Sequence, residues 1–318
     1  LLALALSLFA PAVPAQDYPS RPVHVVVPYP AGGVADRIAR ELSEELRKRL
    51  RQSVVVENRP GAAGNIGFEY VARQPADGYT LLLAPASNLT VQSELFKSVP
   101  YDVERDFAPV GLIAWTAMIL VCEPSFPAKS VGELVALLKA HPGKYQYAHI
   151  GAGSLSNMVM ELFKIGAGVD SPPVAYKGSG QAITDILGGQ LPLMFDGITS
   201  AYPHVKAGRL RGLAVSSKQP SRFAPGIASL ADSGVAGLRD YDVQAWIGML
   251  VAAATPAPLV ERVNAELNEV LRIGEIRERL LASNLDPFDP HPPAEAARYL
   301  KAEYAKWSRV AREAKIEQ

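Results

Sequence analysis

The chain has 318 residues, 48% of them hydrophobic and 20% charged, with 32 Lys+Arg balanced by 32 Asp+Glu. That composition belongs to a folded globular protein and excludes a disordered one, and zero net charge with no basic stripe argues against a nucleic-acid partner. The length admits one large α/β domain or two lobes.

Residues 1–10 are apolar but too few to span a membrane. Pro11-Ala12-Val13-Pro14-Ala15 follows with the small residues of a cleavage site. Residues 1–15 are therefore expected to be the remnant of a secretory signal peptide cleaved near Ala15, and the mature protein to be exported and soluble. No Cys stands at the cleavage site, which argues against a lipid anchor. Cys122 is the only cysteine, so no internal disulfide is expected, and Cys122 reads as a small buried residue.

Val23-His24-Val25-Val26-Val27 reads as a buried strand of a parallel sheet. The turn Pro28-Tyr29-Pro30-Ala31-Gly32-Gly33 comes next. Apolar Ala35, Ile38, Ala39, Leu42, Leu46 and Leu50 then recur at spacings of three and four, which predicts an amphipathic helix. Strand, glycine turn and helix N-terminus make a place where free backbone N–H groups and the helix dipole meet an anion. Gly32 and Gly33 let the backbone approach a ligand closely. Taken alone, the loop reads equally well as an ordinary βα turn without a ligand.

Strands over 53–57 and 79–83, with a short helix over 66–73 between them, continue the βαβ alternation of a mostly parallel sheet. Ligands of such sheets bind at the carboxyl ends of the strands. The apolar stretch 106–123 is interrupted by Gly111 and Thr116 and predicts two buried strands. Ser130-Val131-Gly132-Glu133 is a capping box that opens a helix to about Ala140. Near 145–165 a second strand, glycine turn and helix appear, with Gly151-Ala152-Gly153-Ser154 as the turn and Met158, Leu162 and Ile165 on one helix face. Further strands are expected near 174–176, 191–195, 213–215 and 246–251, and helices over 181–187, 258–272, 275–282 and 294–314. The last helix carries Ala297, Leu300, Tyr304, Trp307 and Ala311 as its apolar stripe. The expected architecture is α/β and two-lobed, a venus flytrap with each lobe a mostly parallel sheet flanked by helices. Lobe 1 is expected from 17–120 and 247–318, lobe 2 from 121–246. Each lobe presents one glycine-rich helix N-terminus to the cleft, which suits a small carboxylate, and lobe closure buries it.

The segments Val27-Pro28-Tyr29-Pro30-Ala31-Gly32-Gly33 with Asp36, Val56-Glu57-Asn58-Arg59-Pro60-Gly61-Ala62-Ala63-Gly64-Asn65-Ile66-Gly67, and Pro75-Ala76-Asp77-Gly78-Tyr79-Thr80-Leu81 are specific in combination. So are Pro100-Tyr101-Asp102, Asp106-Phe107-Ala108-Pro109-Val110, Tyr176-Lys177-Gly178-Ser179-Gly180, Phe195-Asp196, and the run from Ala207 to Val215. With these motifs the chain resembles the Bug-type extracytoplasmic solute receptors of tripartite tricarboxylate transporters, from about residue 18 to 315. The resemblance implies a periplasmic binding protein of the two-lobed type II class that holds a carboxylated ligand between two βα loops and passes it to integral-membrane transporter subunits. It also implies the site: Pro28, Tyr29, Pro30, Ala31, Gly32, Gly33 and Asp36 on the first loop, and Gly151, Ala152, Gly153, Ser154 and Ser156 on the second. Ser87 and Asn88 follow the third strand, and Asp196 stands at the cleft edge. The chain departs from the family pattern at Asn157, where His is usual, at His149, at Ala84-Pro85-Ala86 and at Gln92-Ser93, all near the expected pocket.

Each of these residues also has a structural reading. Asp36 in a first helical turn favours the helix dipole, Asp196 at a strand end caps a turn, and Ser154 and Ser156 cap their helix. Arg59 reads as part of a structural turn or as a contact to a transporter subunit. Enzyme readings are weaker. No Gly-x-Ser-x-Gly elbow occurs, Gly151-Ala152-Gly153 lacks the third dinucleotide glycine, and His24, His141, His149, His204 and His291 show no paired metal spacing. The expectation is a monomeric receptor without cofactor or metal, for a di- or tricarboxylate, an acidic amino acid or an aromatic acid. A receptor presenting its ligand to a sensor kinase is the alternative.

Overall fold

A computed structural model of the chain describes residues 18–86 and 99–314. The expected signal peptide, Ser87, Asn88 and Gln92-Ser93 lie outside the described residues. The first unit runs Val23–Val27 (β1), Val34–Leu50 (α1), Val54–Asn58 (β2), Asn65–Ala72 (α2) and Thr80–Pro85 (β3). The valines of β1 are buried on both faces, and β1 lies parallel between β2 and β3, with Val25 opposite both Val56 and Leu81. The α1 stripe of Ile38, Ala39, Leu42, Leu46 and Leu50 packs on that sheet, as its spacing predicts.

After a four-residue helix, Val103–Asp106 (α3), the apolar stretch forms one strand, Phe107–Cys122 (β4), sixteen residues long, and not the two strands expected. Register shifts at Pro109/Gly111 and Leu112/Ala114 against Gln244–Ala252 (β9) take up the irregularity around Gly111, and Thr116 pairs in regular register with Ala245. One strand suffices because β4 serves two sheets. Phe107 to Ala117 pairs with β9, and Met118 to Cys122 pairs with Leu193–Gly197 (β7) and Arg211–Val215 (β8). Cys122 ends this strand fully buried, and burial pushes its thiol up to about 11.

The second unit comprises Val131–Ala140 (α4), Tyr147–His149 (β5), Leu155–Ala167 (α5), Pro173–Ala175 (β6), Ser179–Leu187 (α6), β7, Ile198–Lys206 (α7) and β8. Here β5 lies parallel between β6 and β7, repeating the arrangement around β1. Helix α7, over a segment for which the sequence pattern predicts no element, carries Pro203 inside it. The chain returns through β9 and ends with Ala257–Arg272 (α8), Gly274–Ala282 (α9), Asp286–Pro287 (β10) and Pro293–Glu313 (α10). Among the described residues no helix is long and apolar enough to cross a membrane.

The two sheets meet where β4 passes from one to the other and the chain re-enters β9. Ser216, just beyond β8, is fully buried at that crossing. Its Oγ accepts the Met118 N–H at 2.9 Å and donates to the Val243 carbonyl at 2.8 Å. Its own N–H donates to the Met118 carbonyl at 2.8 Å, and its carbonyl accepts the Val243 N–H at 2.9 Å. One residue therefore closes the backbone of both crossing segments.

Helix α10 spans both cores. Ala296 belongs to the core over β3 and β9, whereas Trp307, Val310 and Ala311 belong to the core around β5 and β7. The final turns of α10 thus pack against the core around β5 and β7. The buried stripe is also shifted from the expected one: Ala297 is exposed and Glu303 is buried. A buried carboxylate needs donors. Glu303 receives the Trp307 indole at 3.1 Å, the Trp246 indole at 3.4 Å and the Lys306 ammonium. Replacing Ser216 by Ala should orphan one donor and one acceptor at the crossing, at about 1–3 kcal/mol for each buried group. Urea unfolding is expected to show a lower midpoint with an unchanged slope; an unchanged midpoint would mean that the hydroxyl does not hold the crossing.

Candidate functional site

The carboxyl ends of the parallel strands in both sheets point at the crossing. Pro85, the last residue of β3, pairs with Ile247 near the start of β9, and Gly197, the last residue of β7, pairs with Met118 at the crossing itself. The loops that follow β1 and β5 therefore lie on the facing edges of the two lobes.

In the first loop, Pro28 is buried, Tyr29 is half-buried, and Pro30, Ala31, Gly32 and Gly33 are exposed. Gly32 has φ +86, and its N–H donates to Asp36 Oδ2 at 2.9 Å, four residues on in the first turn of α1. Asp36 is only 3% exposed. It also receives Arg40 at 3.0 Å and the Asn58 amide at 3.0 Å, and Asn58 donates to the Tyr29 carbonyl at 3.0 Å. The Arg40 guanidinium above all, with the Gly32 and Asn58 amides, holds the Asp36 carboxyl down at about 2. Behind the loop, Gly67 of α2 lies against Pro28. A Cβ on Gly67 would stand 2.8 Å from Pro28 Cβ and 2.9 Å from Pro28 Cα. Arg59 is bound locally, with its guanidinium 3.5 Å from the Tyr70 ring centroid and 3.0 Å from Glu57 Oε2.

The second loop repeats the device. Gly153 has φ +70, and its N–H donates to Asn157 Oδ1 at 3.0 Å, again four residues on. The Ile150 amide donates to Ser156 Oγ at 3.2 Å and the Gly151 amide to His149 Nδ1 at 3.2 Å. Burial pushes the His149 imidazole pKa down, which suits this neutral acceptor. Ser154 caps α5 by accepting the Asn157 amide at 3.4 Å, and its Oγ meets Ser156 Oγ at 3.0 Å. Gly151 is half-buried and Ala152 exposed. Asp196 is 3% exposed, and its two oxygens accept Ser179 Oγ at 2.7 Å and Ser200 Oγ at 2.5 Å. It thereby ties the N-termini of α6 and α7 to the strand end.

The structure thus brings the two glycine loops and Asp196 to the facing edges, but turns Asp36, Ser156 and Asp196 inward as anchors. Buried polar groups must find partners: the Asp36 and Asp196 carboxylates accept the donors around them, and Ser156 Oγ accepts the Ile150 amide. The backbone supplies what is left over. Among the described residues no hydrogen bond engages the amides of Gly33, Val34 and Ala35 on the first loop, or of Ala152, Leu155 and Ser156 on the second. These N–H groups sit at helix N-termini, where the dipole favours an anion. The sequence reading did not assign Asn58, Gly67, Ser179 and Ser200 to this edge, and it placed Asn157 near the pocket without its role as the acceptor of the Gly153 amide. A signal was present in the matched spacing of Gly32 with Asp36 and Gly153 with Asn157. Among the described residues there is no cluster of His, Cys, Asp and Glu able to hold a metal ion.

Two α/β lobes joined by antiparallel crossing strands, with glycine loops on their facing strand ends, define a periplasmic binding protein fold of the two-lobed type II class. The chain belongs to the tripartite tricarboxylate transporter family of receptors, whose model matches residues 38–316. It is 33% identical over 311 residues to protein BugT of Bordetella pertussis, covering 98% of this chain and 94% of that one. The solved structure of R. palustris Rpa4515 with adipate is 31% identical, with a TM-score of 0.76 over 95% of this chain and 99% of that one. The periplasmic binding protein BugD is also 31% identical, with a TM-score of 0.73 over 94% and 99%. The motif resemblance in the sequence and the observed fold agree with this family.

The depressed Asp36 carboxyl gives a pH prediction. A carboxyl whose folded pKa lies near 2, below its ordinary 3.8, stabilises the fold above pH 4, and that contribution is lost as pH falls towards 2. Asp36→Asn is expected to lower the melting temperature at pH 7 and to flatten its fall between pH 4 and 2. Parallel wild-type and variant curves over that range would mean that Asp36 does not hold the loop.

Proposed function

We propose that the chain is a periplasmic receptor that captures a small carboxylate between its lobes and delivers it to integral-membrane transporter subunits. In this reading lobe 1 comprises 17–120 and 247–318, lobe 2 comprises 121–246, and the receptor acts as a monomer without chemical turnover. The observation that carries it is the pair of glycine loops whose first-turn amides stay unengaged while side chains behind them hold the loops in place. Backbone N–H groups at two helix N-termini supply charge-assisted hydrogen bonds to a carboxylate without any Arg or Lys. The adipate in the Rpa4515 structure supports a carboxylate ligand. Exposed Val34, Ile66 and Ile150, at 42%, 50% and 42%, stand beside the facing loops and offer apolar surface for lobe closure to cover.

The test is thermal unfolding of the purified protein against succinate, adipate, citrate, aspartate and benzoate. An acid present at about 100 times its Kd should add about 2.7 kcal/mol of stability. No shift with any of them would overturn the carboxylate reading and leave the fold standing. Gly32→Val tests the first loop. A Cβ there meets no atom within 4 Å, but φ is +86, a conformation that disfavours a Cβ by about 1–2 kcal/mol. The variant is expected to fold and to bind the active acid at least tenfold more weakly; wild-type affinity would remove this loop from the site.

A further inference from the structure

The second loop is held by a polar chain that runs back through the core of its lobe. Asn157 Oδ1 accepts the Gly153 N–H at 3.0 Å, and Asn157 Nδ2 donates to the Tyr147 hydroxyl oxygen at 2.6 Å. The Tyr147 hydroxyl donates to Glu161 Oε1 at 2.6 Å, and Glu161 receives Lys164 Nζ at 2.9 Å. Tyr147 is fully buried, and Asn157 and Glu161 are 4% and 6% exposed. Apolar Met158, Phe163 and Leu134 belong to the same core as Tyr147.

We propose that Asn157 is a positioning residue for ligand capture, oriented by Tyr147 and Glu161, none of which touches the ligand. An Asn side chain can present either its oxygen or its NH2 group to the loop. The Tyr147 hydroxyl has one proton, and Glu161, an acceptor already facing Lys164, takes it. The phenol oxygen can then only accept, so it draws the Asn157 NH2 group. The Asn157 oxygen is left facing the loop, where it fixes the Gly153 amide. Burial and the nearby Glu161 raise the phenol pKa far above its ordinary range, which keeps that proton in place.

The first lobe needs no such chain: an ionised carboxylate is acceptor-only, and Asp36, through Oδ2, accepts the Gly32 amide whichever way the group is turned. A second Asp at 157 would put another negative charge directly behind a loop meant for an anion. Asn157 supplies the same acceptor without that charge, and the carboxylate sits two hydrogen bonds back at Glu161, beside Lys164. The inference rests on the carboxylate-receptor reading and assigns the second loop's ligand geometry to residues behind it.

The experiment is a double-mutant cycle, with titration calorimetry of the panel acid that stabilises the wild type most. Tyr147→Phe keeps the ring and removes the hydroxyl. It is expected to weaken binding about tenfold, about 1.4 kcal/mol, and Asn157→Ala about as much. The double variant should be no weaker than Asn157→Ala alone, because Tyr147 acts only through Asn157. Glu161→Gln, which frees the phenol proton from its carboxylate, should weaken binding several-fold and serves if Asn157→Ala does not fold. Losses that multiply to a hundredfold in the double variant, or folded single variants with wild-type affinity, would overturn the positioning role and leave the receptor reading intact. A wild type that binds no acid in the panel would overturn both.

Discussion

Everything at the facing edges depends on one local constraint: a glycine amide that turns away from the cleft into the side chain four residues ahead. Gly32 does this with Asp36 and Gly153 with Asn157. Both glycines have positive φ, where a Cβ is disfavoured. Both acceptors lie in the first turn of the following helix. Fixing one amide in this way fixes the direction of the next few, which then point outward at the helix N-terminus. The parallel pairing of β1 with β2 brings Asn58 beside Asp36, and the absence of a side chain on Gly67 lets α2 close on Pro28. Packing around each loop thus serves to hold a short run of backbone in one geometry.

The same constraint explains where the charges went. A negative charge aimed into the cleft would oppose a carboxylate ligand at the distances involved. Asp36 and Asp196 are instead fully occupied, Asp36 by Arg40, Gly32 and Asn58, and Asp196 by two serine hydroxyls. Arg40 offsets the charge of Asp36, the two hydroxyls turn the Asp196 oxygens into the scaffold, and the outward face is left to N–H dipoles. Preorganised dipoles lose little freedom when an anion arrives, whereas long Arg or Lys side chains would have to be ordered.

The strands, the glycine turns and the two-lobed alternation were legible because they rest on short-range pattern: four valines in β1, apolar spacing in α1, paired glycines in each loop. The continuity of β4 was not, because Gly111 and Thr116 look like breaks until β9 is found to pair along both, with register shifts near Gly111 and none at Thr116. Glu303 hid the true stripe of α10, since a charge on a helix reads as solvent-facing until two indoles and a lysine are found around it. Asp36 and Asp196 were legible as edge residues but not in their direction. Which way a carboxylate turns depends on donors from other elements, Asn58 in one case and Ser179 with Ser200 in the other, and no local spacing carries that.

The crossing limits how the lobes can move. Ser216 and the strands it joins are buried and fully hydrogen-bonded, so the crossing resists being pulled apart. The Trp246–Glu303–Trp307 cluster ties α10 to both cores beside it. Farther out, the lobes touch through a few polar contacts, Arg222 with Asp286 at 3.0 Å and Asn284 with Thr199 at 3.4 Å, beside a crevice of about 580 Å³. The Arg222 end of the ion pair is largely solvated, and contacts screened by water in this way contribute little. Motion that keeps the crossing and α10 intact while breaking those contacts is a rotation about the crossing itself. Both glycine loops lie on the facing edges to the side of the crossing, so a rotation there would change the gap between them without disturbing the side chains that hold either loop.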